Sequence, residues 1–533
     1  MRLSWARRPE WCARSPAEPC VRSRMHRAPS KDHVTMTAPV VCTPGGSGPI
    51  LTEAPPTRRR SGAGWQSPAT DGQHRSQRRS GGLVTLQLTG IVGPVMRAGS
   101  PEPLSSGNLA RTSVAESPPA ASSVSRRALG VDVARAVALI GMIAVHVFPE
   151  ENADGQMTWA FGIFGGRAAA LFAVLAGVSI AFVERRSHGQ LYGRTLAADR
   201  MALVVRGLLI LWIGLLLGYL GAIVTIIPYF GVLFLLVVPF FGRSSGFLLL
   251  AVPVFAIGGP VLRHLFAADM PERPNDTVDY TVATATSHPL VFVTDMLLAG
   301  DYPALLWMVY VCVGIVIGRQ TLTSRKLALV LAGWGTVLAA TTWAISKLLL
   351  GPAGGLERLV AATPDLTRAE IVEQLAYGPE DEVLPDTTWW WLTAISPYSN
   401  TPLNLLHNLG AAVAALGIVL LLTHRGGRIF TPFAAMGAMT LTLYSAHCVV
   451  EMLEVLDEDR PVVALWIQII AFMLFALIWR NSVGRGPLET IISDASDWVR
   501  TRVGTPRNKT RAETPGREKT GSRRKTAADR AAT

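Results

Sequence analysis

The feature that most constrains this chain is a series of ten apolar stretches, each close to the length of a membrane-spanning helix. A helix needs about 20 predominantly apolar residues to cross the hydrocarbon core of a bilayer. Only 17% of the 533 residues are charged, and the mean hydropathy of +0.32 is too high for a soluble chain of this size. The sequence therefore predicts an all-α, polytopic transmembrane helix bundle of about ten spans. These cover approximately residues 129–148, 165–183, 201–219, 222–241, 246–264, 302–319, 326–349, 403–423, 430–450 and 461–480.

The charges of the connecting loops predict the orientation of the spans, because cytoplasmic loops carry an excess of Lys and Arg. With the N-terminus inside, the inner loops hold 10 Lys or Arg and 2 acidic residues, whereas the outer loops hold 4 and 22. Each pair of loops follows this trend. We therefore expect both termini on the cytoplasmic side of a multi-pass protein of the plasma membrane.

The basic charge of the chain lies mainly in its two ends. Residues 1–127 hold 18 Lys or Arg against 7 acidic residues, and residues 480–533 hold 13 against 6. Their Arg, Ser, Pro and Gly content predicts a disordered tail over 1–126 and a basic tail over 491–533, with the membrane domain over 127–490. A compact basic domain is not indicated, so we expect the lipid bilayer, and no nucleic acid, as a partner.

Ionisable residues inside spans are costly and mark functional sites by default. In the predicted orientation, several polar side chains from different spans fall in the outer third of the membrane. Asp132 and Arg135 share one face at the cytoplasmic end of the first span, where a structural ion pair is the alternative to a binding role. The outer set comprises His146, Arg167, Asp301, Tyr302, His407, Tyr444 and His447.

Histidine is the side chain best suited to deprotonate a hydroxyl or an amine near neutral pH. We therefore predict His146 and His447 as catalytic residues, with a carboxylate such as Asp301 to orient the base. No motif of a zinc protease, serine hydrolase, P-loop or Rossmann enzyme is found, and no metal is expected. The alternative for a single histidine is a hydrogen-bonded core residue.

Six motifs in order resemble those of the heparan-alpha-glucosaminide N-acetyltransferase-like family and of the YeiB-like membrane proteins, which carry domains of unknown function. The first two are the stretch from Arg127 to Met142 and the stretch from Gly166 to Ser179. The later ones are 301–319, 396–402, 437–447 and 486–489. Together they cover most of residues 127–490.

The resemblance implies a transmembrane acyltransferase that takes an acyl group from acyl-CoA (acetyl-CoA) in the cytosol and delivers it to a sugar outside. It implies Asp132, Arg135 and Arg167 as motif residues of the first two helices and His447 as the late polar site. The predicted substrate-binding set is Asp132, Arg135, Arg167, Tyr302, Trp307, His407 and Tyr444.

Two departures from the family pattern concern the first helix. Ala136 replaces the usual Gly, and His146 stands where the acetyltransferase branch has Asn. The outer loop that carries that branch's catalytic histidine, 149–164 here, has none. Either His146 has taken that role or this protein does not run that chemistry. We carry over the reaction class but not heparan as the acceptor.

Two hypotheses follow from these patterns. The first is an acyltransferase acting on a cell-envelope glycan or glycolipid, with His146 or His447 as base or transient acyl carrier. The second is a non-enzymatic carrier or envelope-organising protein in which the same residues are structural. The enzyme hypothesis requires that His146, Arg167 and Asp301 face a common interior.

Overall fold

The structure is a computed structural model that describes residues 121–504, except 187–192, 222, 272, 275–278, 380–382 and 457–459. Within these residues it is helical, with one isolated β-bridge between Glu151 and Met157 and no strand. The helices are α1 (Ala121–Val147), α2 (Trp159–Phe164), α3 (Arg167–Arg186), α4 (Arg194–Leu217), α5 (Ile227–Leu236), α6 (Ser245–Pro253), α7 (Gly259–Leu265), α8 (Val282–Ser287), α9 (Pro289–Thr294), α10 (Ala304–Gly318), α11 (Arg325–Leu350), α12 (Gly355–Ala362), α13 (Arg368–Tyr377), α14 (Pro402–Gly426), α15 (Thr431–Gly437), α16 (Thr440–Met452), α17 (Pro461–Ser482) and α18 (Pro487–Gly504). The all-α fold class is confirmed.

The described residues contain seven helical segments long and apolar enough to cross a membrane, or nine if each of two bent pairs counts as one span. The upper figure is one below the ten predicted stretches and agrees with a bundle of about ten spans. The difference lies in the predicted fourth span, 222–241, which forms only a shorter apolar helix over Ile227–Phe240. Pro228 begins that helix and Pro239 lies in the 3₁₀ turn that ends it. Proline has no N–H to donate, so it favours a helix start over a helix interior.

The two bent pairs replace the predicted sixth and ninth spans. Pro289–Ala299 and Ala304–Gly318 meet at 43°, and the break between them contains Asp301 and Tyr302. Thr431–Gly437 and Thr440–Met452 meet at 78°. Non-helical backbone at membrane depth needs protein partners for its polar groups. Both breaks adjoin predicted site residues.

Small residues bring the helices of the bundle together. On α3 and α10, Gly177 and Gly314 face each other so closely that a Cβ on either would overlap a backbone carbonyl of the other helix. Gly335 on α11 and Gly410 on α14 make a similar crossing. Close backbone approach at small residues is the usual packing mode of transmembrane helices. These two helix pairs form the largest interfaces of the bundle.

Charged residues that the sequence assigns to the inner side contact one another. Arg319 makes a salt bridge with Glu184 across α10 and α3, with an Nε–Oε2 distance of 2.8 Å. Arg500 on α18 contacts Asp199 on α4, with an Nε–Oδ1 distance of 2.7 Å. The polar groups thus sort into two ends of the bundle. Which end is cytoplasmic stays a prediction.

The two chain ends differ in how much of each is described. Residues 1–120 and 505–533, which make up most of the two predicted tails, lie outside the described residues. Helix α1 begins at Ala121 and helix α18 ends at Gly504, so both cross the predicted domain boundaries at residues 126 and 490. Helix α18 packs along α4.

Candidate functional site

Two histidines from helices that are distant in the sequence meet at one end of the bundle. His146 lies in the last turn of α1, and His447 lies on α16 after the 78° bend. Their ring planes are within 5° of parallel, and Nδ1 of His146 is 2.9 Å from Nε2 of His447. His447 is fully buried, whereas His146 is half-buried. The two rings therefore form one hydrogen-bonded pair with an accessible member.

A buried amide and a carboxylate continue this pair. Nδ1 of His447 is 2.7 Å from Oε1 of Gln468, and Nε2 of Gln468 is 3.0 Å from Oε1 of Glu451. Glu451 also lies one turn after His447 on α16, with an Nδ1–Oε1 distance of 3.4 Å. Gln468, on α17, is 3% exposed. We call these four side chains (His146, His447, Gln468 and Glu451) the histidine relay.

The donor and the acceptor of each hydrogen bond in the histidine relay can be assigned from the chemistry of the side chains. The carbonyl oxygen of Gln468 can only accept, so Nδ1 of His447 donates to it. In a neutral ring, Nε2 of His447 then carries a lone pair, and Nδ1 of His146 donates to that lone pair. Nε2 of His146 is left as an acceptor. The relay therefore fixes the tautomer in which the half-buried histidine presents a basic nitrogen.

Tyr444 completes this part of the site. It is one helical turn before His447 on α16 and is buried. Its ring centroid lies 6.3 Å from that of His146 and 6.2 Å from that of His447. The predicted residues His146, Tyr444 and His447 are thus brought together.

Glu489, from the start of α18, caps the helix that carries His447. Its Oε1 accepts hydrogen bonds from the backbone N–H groups of Leu441 and Thr442, at 2.8 and 3.1 Å. Its Oε2 accepts from the Thr442 hydroxyl at 2.6 Å. Met439, at the N-cap position of α16, supplies no side-chain cap. A carboxylate at a helix N-terminus satisfies free N–H groups and interacts favourably with the helix dipole. Glu489 therefore holds the start of α16.

We expect Glu489→Ala to lower the free energy of unfolding by about 2 kcal/mol, because three hydrogen bonds to a carboxylate are lost. Thermal unfolding of the purified protein in detergent measures the effect. Glu357→Ala is the matched control: Glu357 is an exposed carboxylate that pairs with the exposed Arg368 on the surface. Such surface pairs contribute about 0–1 kcal/mol. Equal effects of the two substitutions would contradict the capping role.

A second cluster surrounds the break before α10. Asn400 accepts a hydrogen bond from the Trp307 indole at 3.0 Å and donates to the backbone carbonyl of Asp301 at 3.0 Å. The ring of Tyr302 lies edge-on to those of Trp307 and Tyr398, at 5.3 and 5.7 Å. Burial raises the pKa of Tyr398 to about 12, so its phenol stays neutral. The loop 396–402 thus holds the predicted residues Asp301, Tyr302 and Trp307 next to one another.

The backbone of this loop is strained at two positions. Tyr398 and Asn400 have φ angles of 58° and 52°, in the left-handed region that is uncommon for residues other than glycine. Strain of this kind persists where surrounding contacts enforce it, and it is frequent at functional sites. Here the hydrogen bonds of the Asn400 side chain supply those contacts.

Arg167 and His407 form a third group at the same end. Nε of Arg167 lies 3.4 Å from Nε2 of His407, and the guanidinium also donates to the carbonyl of Gly162. Nδ1 of His407 is 3.0 Å from the carbonyl oxygen of Ala339, so it donates there and leaves Nε2 to accept from Arg167. Helix α14 thereby orients the arginine at the start of α3.

The three groups are neighbours. Gly166, next to Arg167, lies against the backbone of Tyr398. Tyr302 lies within electrostatic range of both Tyr398 and Tyr444. The Asn400 cluster and the arginine are therefore adjacent in the structure, through Gly166 and Tyr398. Whether His146, Arg167 and Asp301 face a common interior stays a prediction, since the charged groups near the Asp301 carboxylate are Arg263, Arg273 and Asp295.

Asp132 and Arg135 lie at the other end of α1. Nη1 of Arg135 is 2.7 Å from Oδ1 of Asp132, and Nη2 donates to the Ser179 hydroxyl at 2.6 Å. Fourteen residues separate Asp132 from His146, which is ~21 Å along the helix. The predicted substrate-binding set is thus divided between the two ends of the bundle.

The role of Asp301 as the carboxylate that orients a histidine stays a prediction, and two further residues lie beside His447. Among the described residues, no recorded hydrogen bond joins Asp301 to a histidine. The carboxylate beside His447 is Glu451. The sequence places Glu451 in an outer loop. Gln468 is uncharged, so a criterion based on ionisable residues does not select it. The i,i+4 spacing of His447 and Glu451 was the available signal.

The fold and the site together define a polytopic all-α membrane protein with a buried histidine pair at one end of its bundle. The family model described as heparan-alpha-glucosaminide N-acetyltransferase, catalytic, matches residues 127–347. This match supports assignment to a heparan-alpha-glucosaminide N-acetyltransferase-like family and so confirms the resemblance seen in the motifs. It indicates a membrane acetyltransferase. The match ends before His407, Tyr444 and His447. No match was found among curated proteins.

Proposed function

We propose that this protein is an integral acetyltransferase of the plasma membrane that moves an acetyl group from cytosolic acetyl-CoA to a sugar or glycolipid of the cell envelope. The observation that carries the proposal is the directed histidine relay. A half-buried imidazole whose second nitrogen is held by a hydrogen-bonded chain ending at a carboxylate is the arrangement expected of a general base.

In the proposed reaction, the amine or hydroxyl of the acceptor attacks the thioester carbonyl carbon of acetyl-CoA. Nε2 of His146 takes the proton of the attacking group as the new C–N or C–O bond forms. The C–S bond then breaks, and the thiolate of CoA receives that proton. The relay through His447 and Gln468 to Glu451 stabilises the imidazolium formed between these steps.

The neighbouring groups have distinct proposed roles. Arg167 supplies positive charge for the oxygen of the tetrahedral intermediate, and the neutral phenol of Tyr444 offers a hydrogen-bond donor. The Asn400 cluster, with Tyr302 and Trp307, forms an aromatic wall suited to a sugar ring. Arg135, at the opposite end, contacts the donor where it enters.

The test is acetyl transfer by the purified full-length protein in liposomes, with acetyl-CoA and a glucosaminide carrying a free amine. We expect release of CoA thiol that depends on the acceptor, and an acetylated sugar detected by mass spectrometry. Acetylated His146 in the absence of acceptor would identify a transient acyl carrier instead of a base. Folded protein that gives no product with amino or hydroxyl sugars would favour the non-enzymatic hypothesis.

A further inference from the structure

A cavity of about 90 Å³ lies at the opposite end of the bundle from the histidine relay, between α3, α4, α5 and α18. Since a site for one water needs roughly 10–15 Å³ by this measure, the cavity has room for a group larger than water. Its walls include Ser179 of α3, Arg206 of α4 and Phe234 of α5. Ser496 and Arg500 of α18 form the remaining wall. This helix lies outside the residues matched by the family model.

Arg206 is the unusual member of this cavity. Its Nε is buried without a hydrogen-bond partner, and no ion pair of its guanidinium is recorded among the described residues. Its recorded interactions are with the ring of Phe234, whose centroid is 5.1 Å from Cζ, and at longer range with the charges of Arg135 and Glu489. An aromatic face attracts the charge but accepts no strong hydrogen bond. A buried N–H donor without an acceptor is costly, so an acceptor of the right shape would be favoured beside the Nε of Arg206.

The acidic residues of the cavity do not supply a hydrogen-bond acceptor to Arg206. Asp199 and Asp497 both pair with Arg500, at 2.7 and 3.3 Å. The Ser179 hydroxyl already accepts from Arg135. These polar groups are therefore engaged with residues other than Arg206, whose Nε has no acceptor among the described residues.

We propose that this cavity binds a phosphoryl group, with Arg206 as its principal contact. The planar fork of an arginine matches the oxygens of a phosphoryl group, and this pairing is among the strongest hydrogen-bonding arrangements in proteins. The group belongs either to the headgroup of an anionic phospholipid or to a soluble phosphate. The exposed Ile491 and Trp498 of α18 place the cavity wall next to apolar surroundings, which makes a lipid source accessible. No residue of the cavity belongs to the histidine relay, but its Ser179 accepts a hydrogen bond from Arg135, which the proposed function places at the entry of the donor.

The experiment uses the full-length protein in a detergent with a sugar headgroup, which contains no phosphate. Thermal unfolding is followed while inorganic phosphate or short-chain phosphatidylglycerol is added. Sodium chloride of equal ionic strength and short-chain diacylglycerol are the controls. Stabilisation by phosphate alone identifies a soluble ligand, whereas stabilisation by phosphatidylglycerol but not by diacylglycerol identifies a lipid headgroup.

Arg206→Gln is expected to weaken the binding of either probe at least tenfold while the unliganded protein unfolds at no lower temperature, because an unpaired charge has been removed. Arg502→Gln is the matched control. Arg502 is an exposed arginine of α18 that does not line the cavity. If Arg206→Gln does not fold, Arg206→Lys keeps the charge without the fork and is expected to bind at least tenfold more weakly. Absence of stabilisation in the wild type, or equal losses at Arg206 and Arg502, would overturn the proposal.

Discussion

Replacing His146 with glutamine is expected to lower the rate of acetyl transfer at least about 100-fold, which is the lower range for loss of a general base. Glutamine keeps a hydrogen-bonding group beside His447 but has no nitrogen that takes up a proton near neutral pH. The measurement is acceptor-dependent release of CoA thiol in liposomes. Because His146 is only half-buried, the substitution leaves the bundle intact, and the thermal unfolding temperature should change little.

His264→Gln is the matched control for this prediction. His264 also lies at a helix end, on α7, where its ring contacts Trp389 at 4.6 Å and has no part in the relay. Its replacement should leave the rate of transfer within about twofold. A His146→Gln protein that retains full transfer would remove the basis of the proposed mechanism.

The largest expected effect on stability is that of Gly314→Val, at about 3 kcal/mol or more. The added side chain would overlap the backbone carbonyl of Val174, and a backbone atom inside a packed helix pair cannot move aside as a flexible side chain can. Helices α3 and α10 would have to separate, with loss of one of the two largest interfaces of the bundle. Thermal unfolding in detergent and the yield of monodisperse protein measure this effect.

Gly333→Val tests whether the effect depends on the crossing. Gly333 lies within α11, and a Cβ built there meets no atom within 4 Å. This variant should match the wild type within about 0.5 kcal/mol, as for other surface substitutions. If both variants unfolded alike, helix propensity and not the α3–α10 crossing would be the cause.

The helical fold could be predicted from the sequence because the signal is long and uniform. Span boundaries for α11, α14 and α17 fall within a few residues of the predicted ones. The bends were missed because they depend on contacts between distant segments. The break at Ala438 and Met439 is stabilised by Glu489, about 50 residues later in the sequence. A hydropathy pattern does not report such a contact between distant residues.

Some residues of the candidate site could be predicted from the sequence, and others could not because they depend on contacts between distant segments. Histidines and arginines inside apolar spans stand out in the sequence, and the structure brings His146 to His447 and Arg167 to His407. Gln468 does not stand out, because a neutral amide changes hydropathy little. Its role depends on burial between a histidine and a carboxylate, which only the packing of α17 against α16 provides.

Glu489 caps α16, so helix α18 supports the helix that carries His447. His447 lies six residues beyond the first capped N–H, about 9 Å along a stiff helix. The Glu489 cap and His447 thus belong to one short continuous helix. Helix α18 also forms a wall of the Arg206 cavity, so one helix contacts both the cavity and the start of the helix that carries His447. Whatever occupies the cavity therefore lies against the same helix whose Glu489 holds the start of α16.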